Sequence, residues 1–228
     1  MRSTVSEDVS HVDKTVQMRA RDSLYLKYRT RGRKNSNLWV VYSPKSREDM
    51  VLNSDLELIY WLYFIESDPL VTSFRVCEIR SPEDPDFLLN FTDGQGRADY
   101  LGRFPDVMRD DKKVLYDNKT WAVRFINTEE LSTLSKQALR WLKPIAYAAA
   151  IRDKKLTPLH NALIVEEAKC GGGTVQYLLD QLPLFDSSHV VGMLMRHFVE
   201  GRISFDLVSS SFGNNTIWKV AGGDNEQI

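Results

Sequence analysis

Two carboxylates and a lysine are spaced in this sequence as a hydrolytic metal site would need them. Asp106 follows Pro105, Asp117 lies eleven positions later, and Lys119 is two residues beyond Asp117. Hard cations such as Mg²⁺ take oxygen ligands, and a bound cation polarises phosphoryl oxygens and lowers the pKa of an attacking water. A nearby lysine orients that water or offsets charge in the transition state. The pattern predicts metal-dependent hydrolysis of a phosphodiester.

Two adjacent strands would bring these residues together. Residues 104–108 and 114–119 are expected to form a hairpin around a turn at residues 109–112. Strand alternation would then point Asp117 and Lys119 to the same face. Charged side chains within an otherwise apolar strand are costly to bury unless something pairs with them, and a bound metal would be that partner. A surface ion pair is the alternative interpretation.

Glu57 is the candidate fourth member of the site. It stands three residues after Ser54, in the S-x-x-E pattern of a capping box, at the start of a helix expected over residues 54–66. An acid on a helix preceding the strands would complete a metal site of Glu57, Asp106 and Asp117. Capping alone also explains a glutamate at this position.

The elements around the site predict a mixed α/β domain over residues 36–170. Besides the hairpin, the sequence indicates strands and two helices after the site. It also indicates a loop containing Glu83, Asp84 and Asp86, which is expected to be solvated, with a second metal site as the alternative. The predicted strands cover residues 38–42, 71–79, 88–91, 99–104 and 161–166, and the predicted helices cover residues 128–143 and 144–153. This order resembles a restriction-endonuclease-like PD-(D/E)xK core.

A triple glycine at residues 171–173 is the expected boundary of a second domain, residues 171–228. Helices are predicted at residues 174–182 and 187–200, followed by strands at 203–208 and 216–220. A helix, a second helix and a two-stranded wing are the order of a winged-helix domain.

Charge is distributed unevenly, although the net charge of the 228-residue chain is only −1. Residues 1–35 form a basic arm with nine Lys/Arg and four Asp/Glu, whereas residues 171–228 have three and six. A basic arm can track DNA phosphates, and a solvated flexible segment is the other interpretation. The acidic second domain suits a protein partner better than a DNA groove.

Other classes of protein are disfavoured by the sequence. The start of the chain lacks the pattern of a signal peptide, and no apolar run is long enough to span a membrane. Two distant cysteines and four scattered histidines show no zinc or disulfide spacing. We therefore expect a cytoplasmic protein without a membrane partner.

Several segments together resemble the TnsA-type endonuclease subunit of heteromeric transposases, over most of the chain. They are S-D-L-E at residues 54–57, E-S-D-P at residues 66–69, F-P-D-V at residues 104–107 and L-Y-D-N-K at residues 115–119. An appended winged helix is also similar to that family. Asp117 stands where the family has Glu or Gln.

The resemblance implies an endonuclease that uses Mg²⁺, with Mn²⁺ as a substitute, to cut the 5′ strands at transposon ends in double-stranded DNA. A separate DDE transposase would process the 3′ ends, and the C-terminal domain would contact an AAA+ ATPase regulator. Two alternatives stay open: a restriction or defence nuclease on the same core, and a DNA- or protein-binding adaptor whose nuclease site has degenerated. The adaptor alternative stays open because Asp117 has a shorter side chain than the Glu or Gln of the family.

Overall fold

The structure is a computed structural model that describes residues 37–77, 81, 83–102, 113–207 and 210–221. The predicted basic arm lies outside the described residues. So does the predicted strand that carries Asp106. The described chain has a mixed α/β fold, with one five-stranded mixed sheet and several helices. No helix among the described residues is long and apolar enough to cross a membrane.

A short hairpin leads into the first helix. Strands β1 (Trp39–Ser43) and β2 (Glu48–Leu52) pair antiparallel, and helix α1 (Asp55–Tyr60) follows and continues as a π-helical segment, Trp61–Glu66. The Ser54 hydroxyl accepts a hydrogen bond from the Glu57 backbone N–H at 3.1 Å. The predicted helix and its capping serine are therefore confirmed, whereas β2 was not predicted.

The central sheet follows α1 and has the strand order β3-β4-β5-β7-β6. Only β5 and β7 run parallel, and the other neighbours are antiparallel. Tyr60 of α1 packs against Phe87 of β4 with ring centroids 4.7 Å apart, so α1 covers one face of this sheet. The strands are β3 (Val71–Val76), β4 (Phe87–Phe91), β5 (Gly96–Leu101), β6 (Lys113–Tyr116) and β7 (Lys119–Ile126).

Three helices come after the sheet: α2 (Thr128–Ala138), α3 (Leu142–Ala150) and α4 (Thr157–Cys170), with a 3₁₀ turn between the first two. The prediction of a strand at residues 161–166 is wrong, because this segment lies inside α4. The buried side chains of α4 are Leu159, Leu163 and Glu167, and they recur every four residues, which is helical spacing.

The C-terminal part contains two helices and a small antiparallel sheet with the order β8-β10-β9. Helices appear where the sequence predicted them, and Asp186 caps the second one by accepting from the Ser188 N–H at 2.8 Å. The elements are β8 (Gly172–Thr174), α5 (Val175–Gln181), α6 (Ser187–Val199), β9 (Ile203–Phe205) and β10 (Ile217–Val220).

Helix α6 crosses α3 at Gly192. A Cβ atom at Gly192 would lie 2.7 Å from the carbonyl oxygen of Tyr147, so only glycine allows this close approach. The hydrophobic core is continuous from α1 to β10, and α6 contributes eight buried residues to the packing. Helix α6 is therefore packed inside the protein for most of its length.

A buried carboxyl group ties the end of the π-helical segment to β1. Glu66 is fully buried and accepts a hydrogen bond from the Ser43 hydroxyl, while Lys45 donates to the backbone carbonyl of Val71 at 2.8 Å. Burial raises the pKa of Glu66 from 4.5 to about 7, although Ser43 and Lys45 act against that shift. Burial also lowers the pKa of Lys45 to about 8.

This raised pKa predicts that rising pH weakens the fold. Glu66 has a higher pKa folded than unfolded, so stability present below pH 4.5 is lost as the pH approaches about 7. Over this range we expect the unfolding free energy of the wild type to fall by up to about 3 kcal/mol relative to Glu66→Gln, which cannot ionise. Urea unfolding of both proteins at several pH values below 7.5 measures this difference in unfolding free energy. A difference that does not change with pH contradicts this assignment.

Candidate active site

The structure places Asp117 in a tight turn. Asp117 and Asn118 have φ values of 50° and 59°, and Tyr116 pairs directly with Lys119. Positive φ at both central residues is the signature of the type I′ turn of two-residue hairpins, and Asp and Asn tolerate it. The prediction that Asp117 and Lys119 lie on one face of a single strand is therefore wrong, because the chain reverses between them.

Both side chains have partners other than a metal. The Asp117 carboxylate, with its side chain 59% exposed, lies 2.5 Å from Nη2 of Arg75. Hydrogen bonding to Asp117 raises the pKa of Arg75. Lys119 donates to Oδ1 of Asn90 at 3.0 Å, and its Nζ lies 4.3 Å from the centre of the Trp121 ring. Asp117 thus forms a surface ion pair, but with Arg75 and not with Lys119, the partner considered from the sequence.

A second Pro-Asp pair, Pro85-Asp86, directly precedes β4. Asp86 is only 6% exposed, so the expectation that it lies in a solvated loop is wrong. Its backbone carbonyl accepts from the N–H of Cys77 at 2.9 Å, and its own N–H donates to the carbonyl of Asp99 at 2.9 Å. Its carboxylate accepts the N–H of Leu101 at 2.8 Å. These bonds fix Asp86 between β3 and the end of β5.

A sequence signal favours the buried position of Asp86 over the solvated loop that was expected. Phe87 follows Asp86 and opens an apolar strand, so Pro85-Asp86-Phe87 has the same P-D-hydrophobic pattern as residues 105–107. The neighbouring acids Glu83 and Asp84 made this stretch resemble a solvated loop. The hydrogen bond with the Leu101 N–H depends on strand pairing between β4 and β5, which the sequence alone does not show.

Glu57 is buried on the sheet-facing side of α1, with 9% of its surface exposed. Its Oε2 accepts the N–H of Asn53 at 2.7 Å, so the side chain reaches back to the residue before the N-cap Ser54 and not to Ser54 itself. Tyr60 follows one turn later on the same face of the helix. Glu57 is therefore an inward-facing carboxylate held by the start of its own helix.

Asp99 is fully buried on β5, and its partners account for that burial. Arg97 makes two hydrogen bonds to its carboxylate, at 2.7 and 2.9 Å, and the Tyr60 hydroxyl donates to it. Burial of the Tyr60 hydroxyl is the main cause that raises the pKa of Tyr60 well above its usual value, and the negative charge of Asp99 adds to the shift. This network links α1 to β5, and it gives Asp99 a structural explanation without a metal.

The described residues provide some, but not all, of the oxygen ligands that the implied Mg²⁺ would need. Among the described residues, no three His, Cys, Asp or Glu side chains come together as a metal-binding group. The buried Glu57 and Asp86 offer oxygen ligands of the type that Mg²⁺ prefers. A third protein ligand would have to come from outside the described residues, where Asp106 lies. Lys119 donates to Asn90, which is four residues after Asp86. Four residues span about 13 Å along a strand, so Lys119 lies away from Asp86.

Comparison with known proteins adds no assignment: no protein-family model and no curated protein matches this chain.

Proposed function

We propose that this protein is a metal-dependent DNA endonuclease that cuts the 5′ strands at transposon ends, as the TnsA-type subunit beside a DDE transposase. The main support is the buried aspartate of a Pro-Asp pair at the start of β4, in a sheet covered by the helix that carries Glu57. Carboxylate oxygens are the ligands that Mg²⁺ prefers in proteins. The two acids therefore have the chemistry that a metal site needs.

Strand order supports a restriction-endonuclease-like core. Helix α1 is followed by the antiparallel strands β3, β4 and β5, and β7 then pairs parallel with β5. In this arrangement the PD strand is β4 and the strand after it is β5. The geometry of the described residues thus favours Asp86 as the aspartate of the motif, while Asp106 stays a candidate for the remaining ligand.

Each residue has a separate task in this proposal. Glu57 and Asp86 would hold Mg²⁺, which when bound polarises the scissile phosphate and acidifies the attacking water. The Leu101 N–H orients the Asp86 carboxylate, and the Asn53 N–H orients Glu57. Asp117 and Lys119, engaged with Arg75 and Asn90, contribute to the β6–β7 hairpin instead.

The C-terminal elements support a winged-helix domain that binds protein. From α4 to β10 the order is helix, strand, helix, helix, strand, strand, with a three-stranded sheet. A DNA-reading module of this kind places its recognition helix in the major groove. Here α6, the last helix, is buried against α3, which disfavours DNA reading by α6. The resemblance then implies an AAA+ ATPase regulator as the protein partner of this domain.

The adaptor alternative has one observation in its favour, the lack of a three-ligand group among the described residues. A cleavage assay separates the possibilities. We expect Mg²⁺- or Mn²⁺-dependent nicks at the 5′ strands of transposon-end DNA, and only when the cognate transposase is present. Cutting without the transposase indicates a restriction or defence nuclease. No cutting with the transposase and either metal indicates an adaptor and contradicts our proposal.

A further inference from the structure

A basic cavity lies away from the candidate active site, between the β1–β2 turn, the connection from α3 to α4, and α6. Its volume is about 380 Å³. Five of its lining residues are Lys or Arg, and Glu200 is the one acid among them. The basic residues of this cavity, which we call the basic pocket, are Arg47, Arg152, Lys154, Lys155 and Arg196, and His160 also lines it.

The start of α4 adds a second feature that attracts anions. Thr157, the first residue of this 14-residue helix, lines the basic pocket. No side chain caps the helix start, where Leu156 is the N-cap residue. The helix dipole and the unpaired N–H groups of a first turn make such an end favourable for phosphate, here with one donor fewer because Pro158 has no N–H. Two independent features, side-chain cations and an uncapped helix start, therefore meet in one cavity.

Part of the pocket wall is fixed by hydrogen bonds. Arg196 donates to the backbone carbonyls of Ile151 and Arg152, and Arg152 bonds Asp49 at 2.8 Å. Within the described part of the chain, Arg47 and Lys155 form no salt bridge. The basic pocket thus combines two arginines held by hydrogen bonds with two cations, Arg47 and Lys155, that are available to pair with an anionic ligand.

A buried network holds His160 at the pocket wall. Its Nδ1 lies 2.8 Å from Nε2 of His197, which is fully buried and bonds Glu167 through its other ring nitrogen. Arg202 bonds the second oxygen of Glu167 at 3.0 Å. Burial acts to raise the pKa of Glu167, but the bonds from His197 and Arg202 lower it overall. The wall beneath the cations is therefore ordered, as a preformed binding site requires.

We propose that the basic pocket binds a phosphate group of the DNA backbone, an inference that rests on the proposed function. Phosphate oxygens suit both the cations and the helix start. Lys154 and Lys155 are exposed at the rim, so a long polymer can reach them. The pocket would bind a DNA phosphate at a distance from the cleavage site. This contact would position the duplex without recognising its sequence.

The test is binding of a labelled mixed-sequence duplex by fluorescence anisotropy in EDTA, over a series of salt concentrations. We expect Arg47→Ala with Lys155→Ala to raise the Kd roughly 10-fold at 0.1 M salt and to reduce the salt slope by about one. Lys136→Ala, which removes one positive charge where the double variant removes two, is the control for a general loss of charge, because Lys136 is an exposed cation of α2 outside the pocket. It should change the Kd by less than about two-fold. Circular dichroism checks that the variants fold.

Inorganic phosphate distinguishes the possible sources of the anion. Equal DNA binding by wild type and the double variant, or no DNA binding by wild type, overturns the proposal. If calorimetry shows that the double variant loses only its affinity for inorganic phosphate, the site belongs to a small phosphorylated ligand and the DNA assignment is wrong. Because EDTA prevents metal-dependent cutting, a protein that binds DNA here but never cleaves it would overturn the proposed function alone.

Discussion

We expect Asp86→Asn to reduce the proposed metal-dependent cleavage by roughly 100-fold or more, and Asp117→Asn to leave it within about three-fold of wild type. The amide keeps an oxygen that can accept the Leu101 N–H, so the fold is retained while the negative charge is lost. A neutral amide is a much poorer ligand for Mg²⁺ than a carboxylate. Strand-specific nicking of end DNA by equal amounts of each variant measures the effect.

Asp117→Asn is the matched control for this comparison. It makes the same chemical change, but at an exposed turn where Asn also tolerates positive φ. It removes only the pair with Arg75, and such exposed pairs contribute about 0–1 kcal/mol to stability. A third variant, Asp106→Asn, tests the aspartate outside the described residues. Loss of cleavage in Asp117→Asn but not in Asp86→Asn would restore the site predicted from the sequence.

We expect Asp99→Ala to destabilise the protein by about 3–5 kcal/mol, because it leaves the partly buried Arg97 guanidinium and the buried Tyr60 hydroxyl without their partner. Asp99 is fully buried, so solvent cannot replace its hydrogen bonds. Urea unfolding measures the change in free energy. Asp117→Ala breaks a pair to arginine at the surface and should cost about 1 kcal/mol or less.

A double-mutant cycle isolates the Asp99 network. Tyr60→Phe in the Asp99→Ala background should cost less than in the wild type, because the hydroxyl has already lost its acceptor. Equal costs in both backgrounds, or a loss below about 1 kcal/mol for Asp99→Ala, would mean that the network does not link α1 to β5.

Local patterns were sufficient to predict much of the fold. The capping serine Ser54, the helix it starts, the strand at residues 88–91 and both C-terminal helices were found from spacing and caps. These signals are carried by residues close together in sequence. The segment 161–166 failed because a short apolar run suits either a strand or a helix, and tertiary packing decides between them.

The candidate site was predicted less well, since it depends on contacts between distant residues. Asp117-Asn118 lacks the glycine that marks the commonest type I′ turns, so the hairpin was not recognised. Asp86 is buried by the pairing of β4 with β5, and the surrounding acids concealed this. The basic pocket joins Arg47, Arg196 and residues 152–155, which only the folded chain brings together.

Mn²⁺ binding to the isolated protein tests the central claim most directly, because it needs neither a transposase nor the correct DNA sequence. Electron paramagnetic resonance and calorimetry would follow Mn²⁺ titrated into wild type, Asp86→Asn and Asp117→Asn. A metal site built on Glu57 and Asp86 predicts saturable binding that weakens roughly 10-fold or more in Asp86→Asn and is unchanged in Asp117→Asn. No saturable binding by wild type, or equal binding by wild type and Asp86→Asn, would contradict it.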